Sequence, residues 1–309
     1  MFLKLQKVKN KLRKVKNKFL IINNNAFTSL NYDNNIFHFF VFDIVPSYHP
    51  DMIIDKIYLN KAKHNNSNTS QWKIFVLKKL FNNAEIIYIN FEKQQQKASL
   101  GHYNCWEFIK YKKDDRYIDL VNKIRGNNKG SYILFNQRTY NDRSVFDDKT
   151  ENLLENHLQE NLDIPFKFCN FATMAPEEQY DICNSALIFI SLHGAGCTNL
   201  IFTPTECPLI EISFRTNWYC WDEEDRCCDD HFYGTVGIND KCNGILAKPY
   251  HKADYHNLCH LIGKEFIEIE PVRYKGKFNS RNPISKQQVY IDGEKLIDII
   301  NTTYKKLLK

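Results

Sequence analysis

The sequence predicts an α/β protein of two domains, with a parallel, Rossmann-like sheet in its second half. Apolar segments of strand length alternate there with amphipathic helical segments, a pattern typical of this class. The length of 309 residues exceeds that of most single cores, which favours two domains. A polar stretch with two glycines, RGNNKGS at 125–131, has the character of a linker between them.

The first eighteen residues, MFLKLQKVKNKLRKVKNK, carry much of the net charge of +6. Three interpretations stay open: a basic amphipathic helix on an anionic membrane surface, a solvated tail, and a helix packed on the first domain. No apolar run approaches the ~20 residues of a membrane-spanning helix, and the basic start lacks the apolar core of a secretory signal. We therefore expect a soluble, cytoplasmic protein whose peripheral membrane contact, if any, involves this segment.

The rest of the first half alternates less regularly. An apolar segment, NIFHFFVFDIVPSYH at 35–49, comes first. The pieces that follow are DKIYLN at 55–60, a helix in SQWKIFVLKKLF at 70–81, a strand in AEIIYINF at 84–91 and the segment KASLGHYNCWEF at 97–108.

The second half predicts strands and helices in strict alternation. The strands are expected in SYILFNQR from Ser131, FKFCNF from Phe166, ALIFIS from Ala186 and PLIEIS from Pro208, and the helices in TENLLENHLQENL from Thr150, PEEQYDICNS from Pro176 and a short segment from about Ala195. Such parallel sheets bind ligands at the carboxyl ends of their strands.

The last segment, from Gln288, predicts a strand-like piece and then a terminal helix. One face of this helix carries Leu296, Ile299, Ile300, Thr303 and Leu307. We expect this face to pack back across the first domain.

The stretch SLHGAGCTNL at 191–200 places a histidine and two glycines at the end of a predicted strand. The tripeptide Gly194, Ala195 and Gly196 allows a ligand to approach the backbone closely, and the following helix offers unpaired N–H groups to a diphosphate. His193 is placed to donate to a phosphate or a sugar hydroxyl. Further polar candidates are Thr198 and Asn199 in the first helical turn and Glu211, a candidate acceptor for ribose hydroxyls, in the next strand. A glycine-rich turn is also a common packing solution, so the pattern alone does not decide between the two.

The ten cysteines predict neither a metal site nor a disulfide framework. Cys183 and Cys197 fall in predicted core elements, where buried thiols are common. A cluster at 220–242 lacks the paired spacing of zinc ligands. We expect no bound metal, and a disulfide within this cluster stays an alternative if the chain works in an oxidising compartment.

The order of the pieces LIFISLHGAGCTNLIFTPTECPLIEI resembles the signature of glycosyltransferase family 61. Two earlier segments resemble family segments in the same order. NIFHFFVFD places Asn35, His38 and Asp43, and ILFNQRTYNDR places Arg138 and Arg143.

The resemblance implies a GT-B architecture of two facing Rossmann-like domains. On this view 1–125 form the acceptor-side domain, 126–285 bind the nucleotide sugar, and 286–309 form a crossing segment and the helix that returns to the first domain. It also implies an inverting, metal-independent reaction that moves a sugar such as GlcNAc or xylose from a UDP-sugar to a hydroxyl of a glycan or glycoprotein, with no cofactor. Members of the family differ in their sugar, so membership does not identify it.

Roles for the matched residues follow from this implied chemistry. Arg138 and Arg143 would neutralise the departing diphosphate, which suits their planar, multidentate guanidinium groups. Either His38 or Asp43 would take the proton of the acceptor hydroxyl, with Asp43 orienting His38 if it is not itself the base.

Two other classes of function remain as alternatives. The first is a noncatalytic relative that binds sugar nucleotides or glycans without turnover. A nucleic-acid-binding protein ranks last, because the positive charge comes without a recognisable binding motif. The composition, rich in Asn and Lys, indicates an AT-rich coding bias, which is compatible with a large DNA virus or a protist. In a virus the protein would work in the host cytoplasm.

Overall fold

The structure of the chain is a computed structural model. It describes residues 19–22, 25–28, 36–45, 48–60, 67–89, 115–137, 145–146, 152, 155–156, 158–160, 164–212, 254–269, 273–275, 288–290 and 292–309. The chain divides into two compact units, one of Met1–Gly126 with Met174–Tyr180 and one of Asn127–Thr173 with Asp181–Lys309. The domain limits expected from the sequence stay predictions.

The first unit contains a four-stranded sheet in the order β1, β2, β3, β4. Strands β1 and β2 are antiparallel, and the other neighbours are parallel. Its elements are β1 Phe19–Ile22, β2 Asn25–Thr28, α1 Ile36–His38 continued by a π-helix over Phe39–Ile44, β3 Lys56–Asn60, α2 Asn68–Leu80, β4 Glu85–Ile89 and α3 Asp115–Ile124. The helix predicted at 70–81 and the strand predicted at 84–91 are therefore confirmed as α2 and β4.

The sequence prediction misses α3, which precedes the stretch RGNNKGS. Its buried residues Tyr117, Leu120, Val121 and Ile124 recur at intervals of three and four, the spacing of one helical face. The stretch RGNNKGS itself contains no helix or strand. Helix α2 begins at a cap, where the Ser67 hydroxyl accepts from the Ser70 backbone N–H.

The second unit is built on a five-stranded sheet in the order β10, β9, β8, β5, β7, with all neighbours parallel. The elements from Tyr132 onward are β5 Tyr132–Asn136, β6 Val145–Phe146, β7 Phe166–Cys169, α4 Pro176–Cys183, β8 Ala186–Leu192, a 3-10 helix over Ala195–Phe202, β9 Leu209–Ile212, α5 Asp254–Leu261, β10 Phe266–Ile269, β11 Arg273–Lys275, β12 Gln288–Tyr290 and α6 Gly293–Leu307. Of these, α4 is divided between the units, since its residues up to Tyr180 belong to the first unit and its last three to the second. The four predicted strands and the parallel sheet are confirmed.

The expected helix from Thr150 is only partly described. Residues 152, 155–156 and 158–160 have helical backbone, and Leu158 is completely buried. The short strands β11, β12 and β6 form a separate sheet in which β11 and β12 are antiparallel and β12 and β6 parallel.

The terminal helix α6 lies where the sequence predicts it, and its buried face packs on the sheet of its own unit. Its buried residues Leu296, Ile297 and Ile300 belong to the apolar cluster formed by strands of the five-stranded sheet, including Ile190 of β8 and Ile210 of β9. The expectation that this helix packs back across the first domain stays a prediction. An apolar stripe requires burial against some apolar surface, and the sheet of its own unit provides it.

The N-terminal residues 1–18 and the segment 213–253 lie outside the described residues. Among the residues that are described, no helix is long and apolar enough to cross a membrane.

Candidate functional site

Polar side chains gather at the carboxyl edge of the second unit's sheet. Strand β8 is buried along nearly its whole length and runs directly into His193. The backbone N–H of His193 donates to the Ile212 carbonyl at 3.0 Å, which extends the pairing of β8 with β9 by one residue. The last residues of the two strands are thereby held side by side.

His193 and Glu211 form a buried pair across these strands. The distance from His193 Nδ1 to Glu211 Oε1 is 2.5 Å. Glu211 is completely buried and His193 is 8% exposed. The sequence gives no local signal of this pairing, because the two residues lie 18 positions apart on neighbouring strands. The expected contact of Glu211 with a ribose stays a prediction, but in this structure its exposed surface is negligible and one oxygen bonds His193.

Burial raises the pKa of the Glu211 carboxyl well above its ordinary value, and Glu268, its neighbour on β10, adds to the rise. The other carboxyl oxygen, Oε2, has no hydrogen-bond partner among the described residues. Because the pKa of Glu211 is raised, the His193–Glu211 pair keeps its shared proton up to a higher pH than an exposed glutamate would. With that proton present, Nδ1 bonds Glu211 whether the pair is neutral or ionic, and Nε2 carries a hydrogen.

Gly194 adopts a backbone conformation that side chains exclude. Its φ is 145° and its ψ is −179°, a region accessible essentially to glycine alone. The Gly194 carbonyl accepts from the backbone N–H of Cys197 at 2.8 Å and from the Tyr255 hydroxyl at 2.6 Å. The first glycine of the tripeptide is therefore required by the turn itself.

Tyr255 of α5 also contacts His193 directly. The two rings meet edge to face, with their centroids 5.6 Å apart. Tyr255 is not among the site residues predicted from the sequence. The spacing of Tyr255, Leu258, Cys259 and Ile262, all buried, is a signal for a helix, but it does not indicate what that helix contacts.

Gly196 is required by packing against Asn136. A Cβ at Gly196 would lie 2.5 Å from Asn136 Nδ2. Asn136, at the end of β5, donates from Nδ2 to the Ser191 hydroxyl at 2.9 Å, and that hydroxyl donates to the Leu192 carbonyl at 3.0 Å. The sequence pattern suggests that a glycine is needed at 196 so that a ligand can approach the backbone. The structure adds a second reason, because the buried side-chain amide of Asn136 lies too close for a Cβ.

The segment after Gly194 is a 3-10 helix of eight residues, Ala195–Phe202, rather than a longer α-helix. Thr198 and Asn199 are completely buried, and Thr198 Oγ1 has no hydrogen-bond partner among the described residues. Their contact with a ligand stays a prediction. The end of the helix is fixed by the buried Lys264, whose Nζ donates to the Thr203 hydroxyl at 2.9 Å, to its carbonyl at 3.3 Å and to the Pro204 carbonyl.

Four of the predicted site residues cannot be placed in this arrangement. Arg138 and Arg143 lie outside the described residues. His38 lies in α1 and Asp43 in the π-helix that follows, but their side chains are not described. The structure thus brings together His193, the Gly-Ala-Gly turn, Thr198, Asn199 and Glu211, and leaves the roles of the arginines and of the two candidate bases as predictions.

Four of the five described cysteines are buried thiols, and the fifth, Cys169, is half-buried. Cys183 and Cys197 are completely buried, as their place in core elements predicts. Burial raises the pKa of Cys169 to about 12 and also raises the pKa values of Cys183, Cys207 and Cys259. Among the described residues, His, Cys, Asp and Glu form no group suited to hold a metal ion. The cysteine cluster at 220–242 lies outside them.

Comparison with known proteins identifies one family. The family model described as Glycosyltransferase 61 matches residues 36–210, more than half of the chain. The match includes His193 and the Gly-Ala-Gly turn and ends one residue before Glu211. No curated protein matches the chain.

Proposed function

Because this chain belongs to glycosyltransferase family 61, we propose that it transfers a sugar from a UDP-sugar to a hydroxyl of a glycan or glycoprotein. The reaction inverts the anomeric centre and needs no metal ion. GlcNAc and xylose are the sugars we expect first. The two units correspond in this proposal to the facing domains of a GT-B enzyme.

The His193–Glu211 pair is the observation that carries the donor-side proposal. The raised pKa of Glu211 favours the protonated pair, in which Nε2 carries a hydrogen. Such a ring nitrogen donates to a phosphate oxygen rather than accepting a proton from a hydroxyl. We therefore assign His193 to the diphosphate of the donor, and not to the role of general base.

The bonding changes of the proposed reaction balance without a metal. The acceptor oxygen forms a bond to the anomeric carbon as the bond from that carbon to the diphosphate oxygen breaks. The acceptor proton passes to His38 or Asp43, the two candidate bases. The negative charge that develops on the leaving diphosphate is stabilised by His193 and by Arg138, with Arg143 as a second cation.

The proposal is tested by measuring binding and hydrolysis across a panel of nucleotide sugars with EDTA present. The wild type is compared with His193→Ala, Arg138→Ala and Asp43→Ala, and with His260→Ala, an exposed histidine of α5, as a control. We expect turnover of one UDP-sugar, about 10- to 100-fold weaker binding for the first two variants from loss of one charged hydrogen bond, and lost turnover with retained binding for the third.

The outcomes separate the candidate functions. Failure of every nucleotide sugar to bind the wild type contradicts the donor-site assignment. Binding without transfer to any of a broad set of glycan acceptors favours the noncatalytic relative. Full activity of His193→Ala, equal to that of His260→Ala, removes His193 from the site.

A further inference from the structure

We propose that Tyr255 is a positioning residue of the donor site, which acts through Gly194 and His193. This inference rests on the proposed function, because it takes these two residues as the part of the chain that meets the donor diphosphate. Tyr255 lies outside the segment matched by the family, 61 residues beyond Gly194. It is 2% exposed, so its role is exerted through its neighbours.

The hydroxyl of Tyr255 controls the orientation of one peptide group. It donates to the Gly194 carbonyl at 2.6 Å. The peptide bond is planar and trans, so the Ala195 N–H points opposite to the Gly194 carbonyl. A bond that fixes the carbonyl direction therefore also fixes the direction in which Ala195 presents its N–H group. As the first residue of the 3-10 helix, Ala195 has no acceptor for that N–H within the helix.

The turn needs such a restraint because glycine itself supplies none. Glycine reaches the φ of 145° found at Gly194 without strain, but it reaches many other conformations as readily. The Cys197 N–H also donates to this carbonyl, but it belongs to the same turn. Tyr255 ties the turn to a separate element, α5, and thereby to the rest of the unit.

The ring of Tyr255 restrains His193 from a second side. Glu211 holds the imidazole at Nδ1, and the Tyr255 ring meets it edge to face at an interplanar angle of 72°. One side chain thus touches both residues that we assign to the diphosphate. This double contact distinguishes Tyr255 from a core tyrosine that merely satisfies its hydroxyl.

Tyr132 provides a matched control within the same unit. Its hydroxyl also donates to a backbone carbonyl, that of Ile182, and its ring is buried. It is the first residue of β5 and therefore lies at the amino edge of the sheet, away from the strand ends that carry His193. Tyr132→Phe and Tyr255→Phe each remove one hydroxyl–carbonyl bond and keep the ring.

The test compares the affinity of the full chain for UDP, by calorimetry, with its stability, by urea denaturation. We expect both variants to lose similar stability and only Tyr255→Phe to bind UDP more weakly, by about 3- to 10-fold, the effect of one neutral hydrogen bond. In turnover, the KM for the donor sugar should rise in Tyr255→Phe and not in Tyr132→Phe.

Two results would overturn the inference, and they differ. If the wild type binds UDP and both variants bind it equally well, Tyr255 is a structural residue only and the proposed function stands. If the wild type itself binds neither UDP nor any UDP-sugar, the proposed function fails and this inference fails with it.

Discussion

Replacing Gly196 by alanine should destabilise the protein through Asn136. The new Cβ would lie 2.5 Å from Asn136 Nδ2, whereas heavy atoms in ordinary contact lie about 3.5 Å or more apart. Asn136 is 2% exposed, so its amide has little room to move without losing its bond to Ser191. An unsatisfied buried donor costs about 1–3 kcal/mol and overpacking a similar amount, which together predict a loss of about 2–6 kcal/mol.

A double-mutant cycle with Asn136→Ala isolates this contact. Once the amide is removed, the cost of Gly196→Ala should fall below about 1 kcal/mol, measured as the free energy of unfolding in urea. Gly130→Ala is the control, because a Cβ there would meet backbone atoms of Leu187 at 2.5 and 2.8 Å. Its cost should be the same in both backgrounds within about 0.5 kcal/mol.

The reasoning is refuted if Gly196→Ala costs the same with and without the Asn136 amide. A separate measurement, the affinity of the Gly196→Ala, Asn136→Ala double variant for UDP, distinguishes a packing role of Gly196 from a role in ligand binding. Retained affinity means that Gly196 serves the packing of the turn. Lost affinity in a stable protein means that the glycine admits the ligand, as the sequence pattern suggests.

Two further predictions concern buried charged groups. Glu211→Gln should flatten the pH dependence of stability above about pH 4.3, the ordinary pKa at which a glutamate of the unfolded chain loses its proton. The raised pKa of Glu211 makes the folded wild type hold a proton that the unfolded chain lacks, so its stability falls as pH rises towards the folded pKa, by up to about 1.4 kcal/mol per pH unit. Denaturation curves of both proteins from pH 4 to 9 measure this, and parallel trends over the whole range would contradict it. Lys264→Met should cost about 2–4 kcal/mol in urea, since it leaves the buried carbonyls of Thr203 and Pro204 without their donor. A loss no greater than that of the exposed Lys305→Met would show that these carbonyls do not need it.

The local sequence is sufficient to predict several strands, one turn and the terminal helix of this protein. Local sequence predicts two strands, ALIFISL and LIEI, and the turn after the first. A continuous apolar run indicates a buried parallel strand, and glycine indicates where the strand ends. Local sequence also predicts helix α6, because Leu296, Ile300 and Thr303 recur with a helical period. The same local order carries the resemblance to the family whose model matches 36–210.

The tertiary structure decided what those elements touch. An apolar stripe records that a helix must be buried but not against which sheet, so the partner of α6 was not determined by its own sequence. The bonds of Glu211 to His193 and of Tyr255 to Gly194 join residues 18 and 61 positions apart. Such contacts depend on which strands and helices become neighbours, and that is set by the packing of the whole unit rather than by any one segment.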